Sequence, residues 1–185
     1  MVVLEPLYAQ VSVARSRYLA AVENLTTEQG HFRLTPQSWS TAEVTEHLVH
    51  AEQGGILSMW KAAVGIRTGE PVWVGHSPNE GLSIEEIIER TWRPLEEVPE
   101  SAAPRMGGPL GFWTVSLRSC QALLPSLMAA LEGLDLNEVI YPHPISGPLN
   151  VQQRLEFLRF HLNRHLEQVE TIKMSPGLPH GALPL

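Results

Sequence analysis

Apolar residues in the first part of the chain fall on one helical stripe. Leu4, Leu7, Val11, Ala14, Tyr18, Ala21 and Leu25 recur at alternating spacings of three and four, the rhythm of a single face of a 3.6-residue turn. This predicts a first helix that stops in the stretch from Thr26 to Gly30. Pro36 resets the chain, and Ser40-Thr41-Ala42-Glu43 then reads as a capping box. In such a box the serine oxygen and the glutamate carboxylate each satisfy amide groups left free at a helix start. A second helix is therefore predicted from Thr41 to about Val64, through His47, His50, Ala51 and the Gly54-Gly55 pair.

From Gly65 to Gly108 the rhythm lapses into a stretch punctuated by proline and glycine, broken by one short helical signal from Ser83 to Glu89. A connection this long is no tight helix hairpin. It works as a crossover that lets the third helix start at the same end as the second, so that the two run parallel. Leu110, Trp113, Leu117, Cys120, Leu124, Leu127, Leu131 and Leu134 mark that third helix, with Pro125 expected to kink it. The segment from Tyr141 to Asn150 cannot continue a helix. Asn150 with Gln153 caps a fourth helix, whose stripe is Val151, Leu155, Leu158, Leu162, His165, Val169 and Ile172. The expected fold is all-α: a four-helix bundle with a long crossover between helices two and three. It makes one domain over residues 1–174, followed by a loosely held tail over 175–185.

Composition narrows the setting. With 185 residues the chain is long enough for one core. Its net charge of -7, with Lys and Arg scattered, offers no footprint for a phosphate backbone. No nucleic-acid partner is expected. A single cysteine cannot form an intramolecular bridge, and the start MVVLEPLYAQ has neither a basic nor a continuous apolar leader region. No run approaches the roughly 20 consecutive apolar residues that cross a bilayer. Cytoplasmic residence with no membrane partner is the expectation.

Chemistry concentrates in three histidines. His161 and His165 are four apart, so their rings share one helix face about one turn apart and can ligate one ion. An HxxxH pair alone is a weak signal, but His165 lies on the apolar stripe itself, where an unpartnered imidazole would bury polar nitrogens at real cost. His47 joins them from helix two, where Ala51 and Gly54 or Gly55, one and two turns on, are expected to leave room beside the metal. Three imidazoles also leave positions open to water or substrate.

These residues sit in two blocks that resemble the DinB/YfiT-like superfamily. The first is Trp39-Ser40-Thr41-Ala42-Glu43-Val44-Thr45-Glu46-His47-Leu48. The second is His143-Pro144-Ile145-Ser146-Gly147-Pro148-Leu149-Asn150, leading to His161-Leu162-Asn163-Arg164-His165-Leu166-Glu167-Gln168-Val169 and its HxxxHxxQ pattern. The layout is similar from Leu4 to Ile172. The resemblance implies a four-helix bundle whose metal is held by His47, His161 and His165, in a family with dimers and with some thiol-dependent transferases or isomerases.

Other candidates have plainer readings. His50 is left out of the ligand set as a partly exposed helix residue. Gln168, beyond His165, serves either as a hydrogen-bond partner of the site or in packing. Glu46 and Glu52 are conceivable general bases, yet helix geometry points to solvated positions for both. His143 is expected to have a structural loop role, Cys120 to be an inert buried thiol, and most of Trp39, Trp60, Trp73, Trp92 and Trp113 to be core or interface residues. The leading function is a divalent-metal-dependent hydrolase or thiol S-transferase. Zinc or nickel is the expected ion, since imidazole accepts several first-row metals. A small molecule, including a low-molecular-weight thiol, is the expected partner, and a homodimer the expected assembly. The alternative is a non-enzymatic, stress-related binding protein with a structural metal.

Overall fold

The computed structural model describes residues 4–92 and 98–180. Its elements are α1 (Leu4–Val22), α2 (Thr27–His31), α3 (Thr41–Thr68), α4 (Ile84–Thr91), α5 (Leu110–Ser119), a 3₁₀ turn (Cys120–Ala122), α6 (Leu123–Ala130), β1 (Ile140–His143), β2 (Gly147–Asn150) and α7 (Val151–Lys173). The fold is mostly helical, as the all-α reading expects. Its sheet, among the described residues, is one antiparallel hairpin that pairs Ile140 with Asn150 and His143 with Gly147.

Helix boundaries follow the capping chemistry. α3 starts where the Ser40 side chain accepts the Glu43 N–H and the Glu43 carboxylate accepts the Ser40 N–H. It runs past Val64 to Thr68 and stops at Gly69, whose φ of 77° is open to glycine without strain. Asn150 and Gln153 cap α7 in the same way. α1 ends at Val22, earlier than its apolar stripe, because Thr26 and Gln29 form a capping box of their own and start the short α2.

The third helix predicted from the stripe is two helices. α5 gives way to the 3₁₀ turn at Cys120–Ala122 before α6 begins. Pro125 accounts for the break: it has no N–H for the Gln121 carbonyl and its ring crowds that carbonyl. Leu131 lies beyond the end of α6 yet is still buried. The stretch from Tyr141 to Asn150 is the β-hairpin, an element the helix-oriented pattern does not foresee.

Side-chain pairings give the directions of the helices. Glu46 meets the backbone of Arg105, His50 faces Trp113, and Arg67 donates to the carbonyls of Ala130 and Glu132. α3 and the α5–α6 segment therefore ascend together, as the long crossover requires. α1 runs the other way, with Tyr18 bonded to Thr45 and Arg15 to Glu52. α7 also opposes α3, with His161 beside His47 and Arg154 beside Gly55. The main core lies between these four segments and includes Val11, Tyr18, Leu48, Ile56, Leu117, Leu127, Leu158 and Leu162.

A second apolar cluster of Ile84, Ile87, Leu149 and Phe157 seats α4 and the hairpin on α7. Asn79 reinforces it by donating to the Ser146 and Pro148 carbonyls, and Gln153 donates to the carbonyls of Asn79 and Leu82. Beyond α7, the Pro179 carbonyl accepts a bond from Gln29. Residues 181–185 of the expected tail lie outside the described residues.

Candidate metal centre

His47 enters from the second turn of α3, and His161 and His165 enter from α7. Both helices are fixed in register by their capping boxes and by the core between them. The structure brings all three rings together. His47 Nε2 lies 3.1 Å from His161 Nε2, which lies 3.0 Å from His165 Nε2. The three rings are 5%, 4% and 8% exposed. Their ligand nitrogens all fall within 4.8 Å of one another, so the group can hold a metal ion.

Hydrogen bonds at the far side of the rings decide where the lone pairs point. His47 Nδ1 donates to the Ala102 carbonyl at 2.8 Å, and His165 Nδ1 donates to Gln168 Oε1 at 2.8 Å. Each acceptor is an oxygen that only accepts, so the protons sit on Nδ1 and the Nε2 lone pairs face inward. His161 Nδ1 is buried without a hydrogen-bond partner among the described residues, and its Nε2 stands between the inward lone pairs of His47 and His165. Ligand nitrogens around a tetrahedral ion, at bonds of about 2.0–2.1 Å, stand about 3.3 Å apart. The donor set fits a divalent ion.

The surroundings also keep the rings in the ligating state. Burial depresses His161 well below the usual imidazole range, with the neighbouring imidazoles adding to it. Burial pushes His165 down to about 3, helped by His47 and opposed by the Gln168 bond. His47 is lowered by burial against the opposing bond to Ala102. All three are neutral at pH 7, as metal binding requires.

Glu46 corrects the expectation of a solvated side chain. It is buried, and its carboxylate accepts the backbone N–H groups of Arg105 at 2.7 Å, Met106 at 2.6 Å and Gly107 at 3.0 Å. Burial raises its pKa, but the three N–H bonds outweigh that effect and the net shift is downward. Gly107, with φ of 67°, lets the backbone turn its N–H groups onto one carboxylate. This anchors the crossover whose Ala102 orients His47. Glu52 is also buried, bonded to Arg15 at 2.7 Å in the interior rather than in solvent.

The remaining candidates fall into place around the rings. His50 lies 3.5 Å from Glu46 and outside the triad. Gln168 does bond a site imidazole. His143 Nδ1 accepts the N–H groups of Ile145 and Ser146 and so shapes the hairpin turn. Cys120 is buried, and burial, with the Glu52 charge, pushes its thiol up to about 12. Two tryptophans belong to the site and not merely to the core: Trp39 is 5.1 Å from the His47 ring and Trp92 is 6.4 Å from that of His161. The expected space beside the metal at Gly55 is occupied differently, because Gly55 faces Arg154 and Leu158. The open grooves along α1 and the second half of α3 contain none of the three histidines.

Fold and site together define a mostly helical protein with a buried three-histidine group shared between two opposed helices. The chain belongs to the DinB superfamily, whose family model matches residues 10–169. No curated protein matches the chain. Among the described residues, no helix is long and apolar enough to cross a membrane.

Proposed function

We propose that this protein is a divalent-metal-dependent enzyme of the hydrolase or thiol S-transferase type, with His47, His161 and His165 as ligands to zinc or nickel. The composition of the group carries the reading: three neutral imidazole nitrogens, with no further His, Cys, Asp or Glu joining them among the described residues. Structural zinc sites are closed by four protein ligands, whereas catalytic sites use three and keep a position for water or substrate. A bound ion would supply Lewis-acid polarisation and a nucleophile available near neutral pH.

The chain's own residues hold that arrangement. Ala102 and Gln168 retain the Nδ1 protons of His47 and His165, Glu46 fixes the loop that carries Ala102, and Trp39 and Trp92 shield the rings from water. Cys120 is too deeply buried to be a nucleophile, so thiol chemistry uses an external low-molecular-weight thiol. In this reading α1, α3, the α5–α6 segment and α7 constitute a four-helix bundle, and the enzyme is a cytoplasmic homodimer acting on small molecules.

Elemental analysis of protein purified without a histidine tag, beside a His47→Ala/His161→Ala double variant, is the direct test. About one ion per chain, lost in the variant, is expected, together with chelator-sensitive turnover of a hydrolase or thiol-transfer substrate. Absence of metal from both proteins after incubation with zinc or nickel would overturn the site. A second reading, a purely structural tie, draws on the burial of all three rings between α3 and α7. It predicts a large loss of melting temperature on chelation and no turnover by the metal-loaded protein.

A further inference from the structure

Two turns before His161, α7 carries a charge that no described residue balances. Arg154 is 6% exposed, and its Nε and Nη1 have no hydrogen-bond partner among the described residues. No carboxylate among the described residues is within ion-pair distance of it. The other buried arginine, Arg15, shows what the fold does when it only stores a guanidinium: it supplies Glu52 and Gln121 as acceptors. An isolated buried charge is strongly unfavourable, and burial lowers Arg154 only to about 10, so it stays protonated at neutral pH.

The position of the guanidinium connects it to the histidines. It lies 5.5 Å from the Phe157 ring centroid, and Phe157 stacks on His161 at 5.4 Å with 21° between the planes. One aromatic ring thus separates Arg154 from the candidate metal ligands. His143 rests on the same Phe157 at 4.5 Å. Because its Nδ1 accepts two backbone N–H groups, its own proton sits on Nε2, for which no described residue is an acceptor. Across from these groups, a Cβ on Gly55 would stand 3.0 Å from Arg154 Nη2. Glycine inside a helix is costly relative to alanine, and here its bare backbone makes room for the guanidinium.

We propose that Arg154 and His143 recognise a carboxylate on the small molecule handled at the three-histidine site, the carboxylate oxygens accepting N–H bonds from the guanidinium and from His143 Nε2. A planar guanidinium fork matches a carboxylate in two parallel bonds. One positive charge beside a neutral imidazole balances a monoanion, whereas a buried phosphate dianion would leave excess negative charge. That the carboxylate belongs to a substrate rests on the metalloenzyme reading above; that Arg154 binds one does not.

Isothermal titration of the full chain with butyrate, butyramide and inorganic phosphate, in zinc-loaded and chelator-treated forms, tests the assignment. Butyrate is expected to bind at least about tenfold tighter than butyramide, a difference of about 1.4 kcal/mol, and tighter than phosphate, with or without zinc. Arg154→Met should abolish that binding while melting no lower than the wild type, since it removes an unbalanced buried charge. Gly55→Ala, which keeps the arginine but crowds it, should weaken butyrate binding. Equal binding of butyrate and butyramide, unchanged butyrate binding in Arg154→Met, or tighter binding of phosphate would overturn the proposal. Zinc binding without butyrate binding defeats this proposal alone, and Arg154-dependent butyrate binding in a protein that takes up no metal defeats only the metalloenzyme reading.

Discussion

The Glu46 carboxylate accepts the Met106 N–H at 2.6 Å, which ties the residue beside His47 on α3 to the crossover that supplies the Ala102 carbonyl to that same histidine. A ring held in this way keeps its Nε2 aimed at the other two imidazoles. Glu46→Gln keeps the shape but removes the charge that makes three N–H bonds strong. Zinc affinity, measured by competition with a chromophoric chelator, is expected to fall about 10–100-fold with the helical circular dichroism unchanged. Unaltered affinity would show that the crossover does not orient His47.

Gln168 plays the equivalent part for His165, accepting its Nδ1 proton at 2.8 Å. Gln168→Leu removes the acceptor and leaves the ring free to turn or to change tautomer. The same chelator competition should register a loss of about 10–100-fold, and Gln168→Glu, which restores an acceptor, should recover most of it. Equal affinities in all three proteins would assign Gln168 to packing.

Acid should weaken the metal-free protein through its histidines. In the unfolded chain each imidazole takes up a proton near 6.5, while burial first of all holds His165 down to about 3 and His161 well below its usual range. The unfolded state therefore binds more protons between these limits. The stability contribution is fully present above about pH 6.5 and is lost as pH falls towards about 3, with a slope of up to about 1.4 kcal/mol per pH unit for each imidazole. Urea unfolding at pH 7, 5 and 4 measures this slope. His165→Phe should flatten it, and identical slopes in the two proteins would contradict the assignment.

Arg15 donates from both Nε and Nη2 to one oxygen of Glu52, Oε2, in a pair whose side chains are 2% and 1% exposed. Glu52→Leu strands the guanidinium in the core, and a loss of about 3–5 kcal/mol in denaturant unfolding is expected. The double variant Arg15→Met/Glu52→Leu removes both charges and should recover most of that loss, the sign of a coupled pair. Additive losses would mean that the two side chains act independently.

The sequence by itself determined the elements whose signals are local. The three-four stripes give α1, α7 and the apolar face of the α5–α6 segment, the box at Ser40 gives α3, the box at Asn150 places the start of α7, and the i,i+4 spacing puts His161 and His165 on one face. His165 within an apolar stripe is a local anomaly that points to a partner, and the blocks around His47 and His165 carry the likeness to the superfamily that matches the chain. Local signals had limits even for helices. The stripe through Leu134 continues across the Pro125 break because burial, not helical backbone, sets the apolar pattern, and Leu131 is buried outside any helix.

Only the tertiary structure decided the contacts made across the crossover. Glu46 looks like a solvated acid in sequence because its three partners are backbone N–H groups some sixty residues away, and a backbone group has no sequence signature. Glu52 is buried for the same kind of reason, with its partner Arg15 on α1. The Ala102 carbonyl that orients His47 and the approach of Trp92 to His161 depend on where a long irregular segment folds back. Arg154 is the sharpest case: on α7 it occupies an ordinary helical position, and only the packing of Gly55 and Phe157 around it leaves its charge buried and, among the described residues, without a counter-charge. Helical periodicity is fixed by neighbours three and four residues away, whereas burial and charge balance are fixed by whatever the rest of the chain brings to the same place.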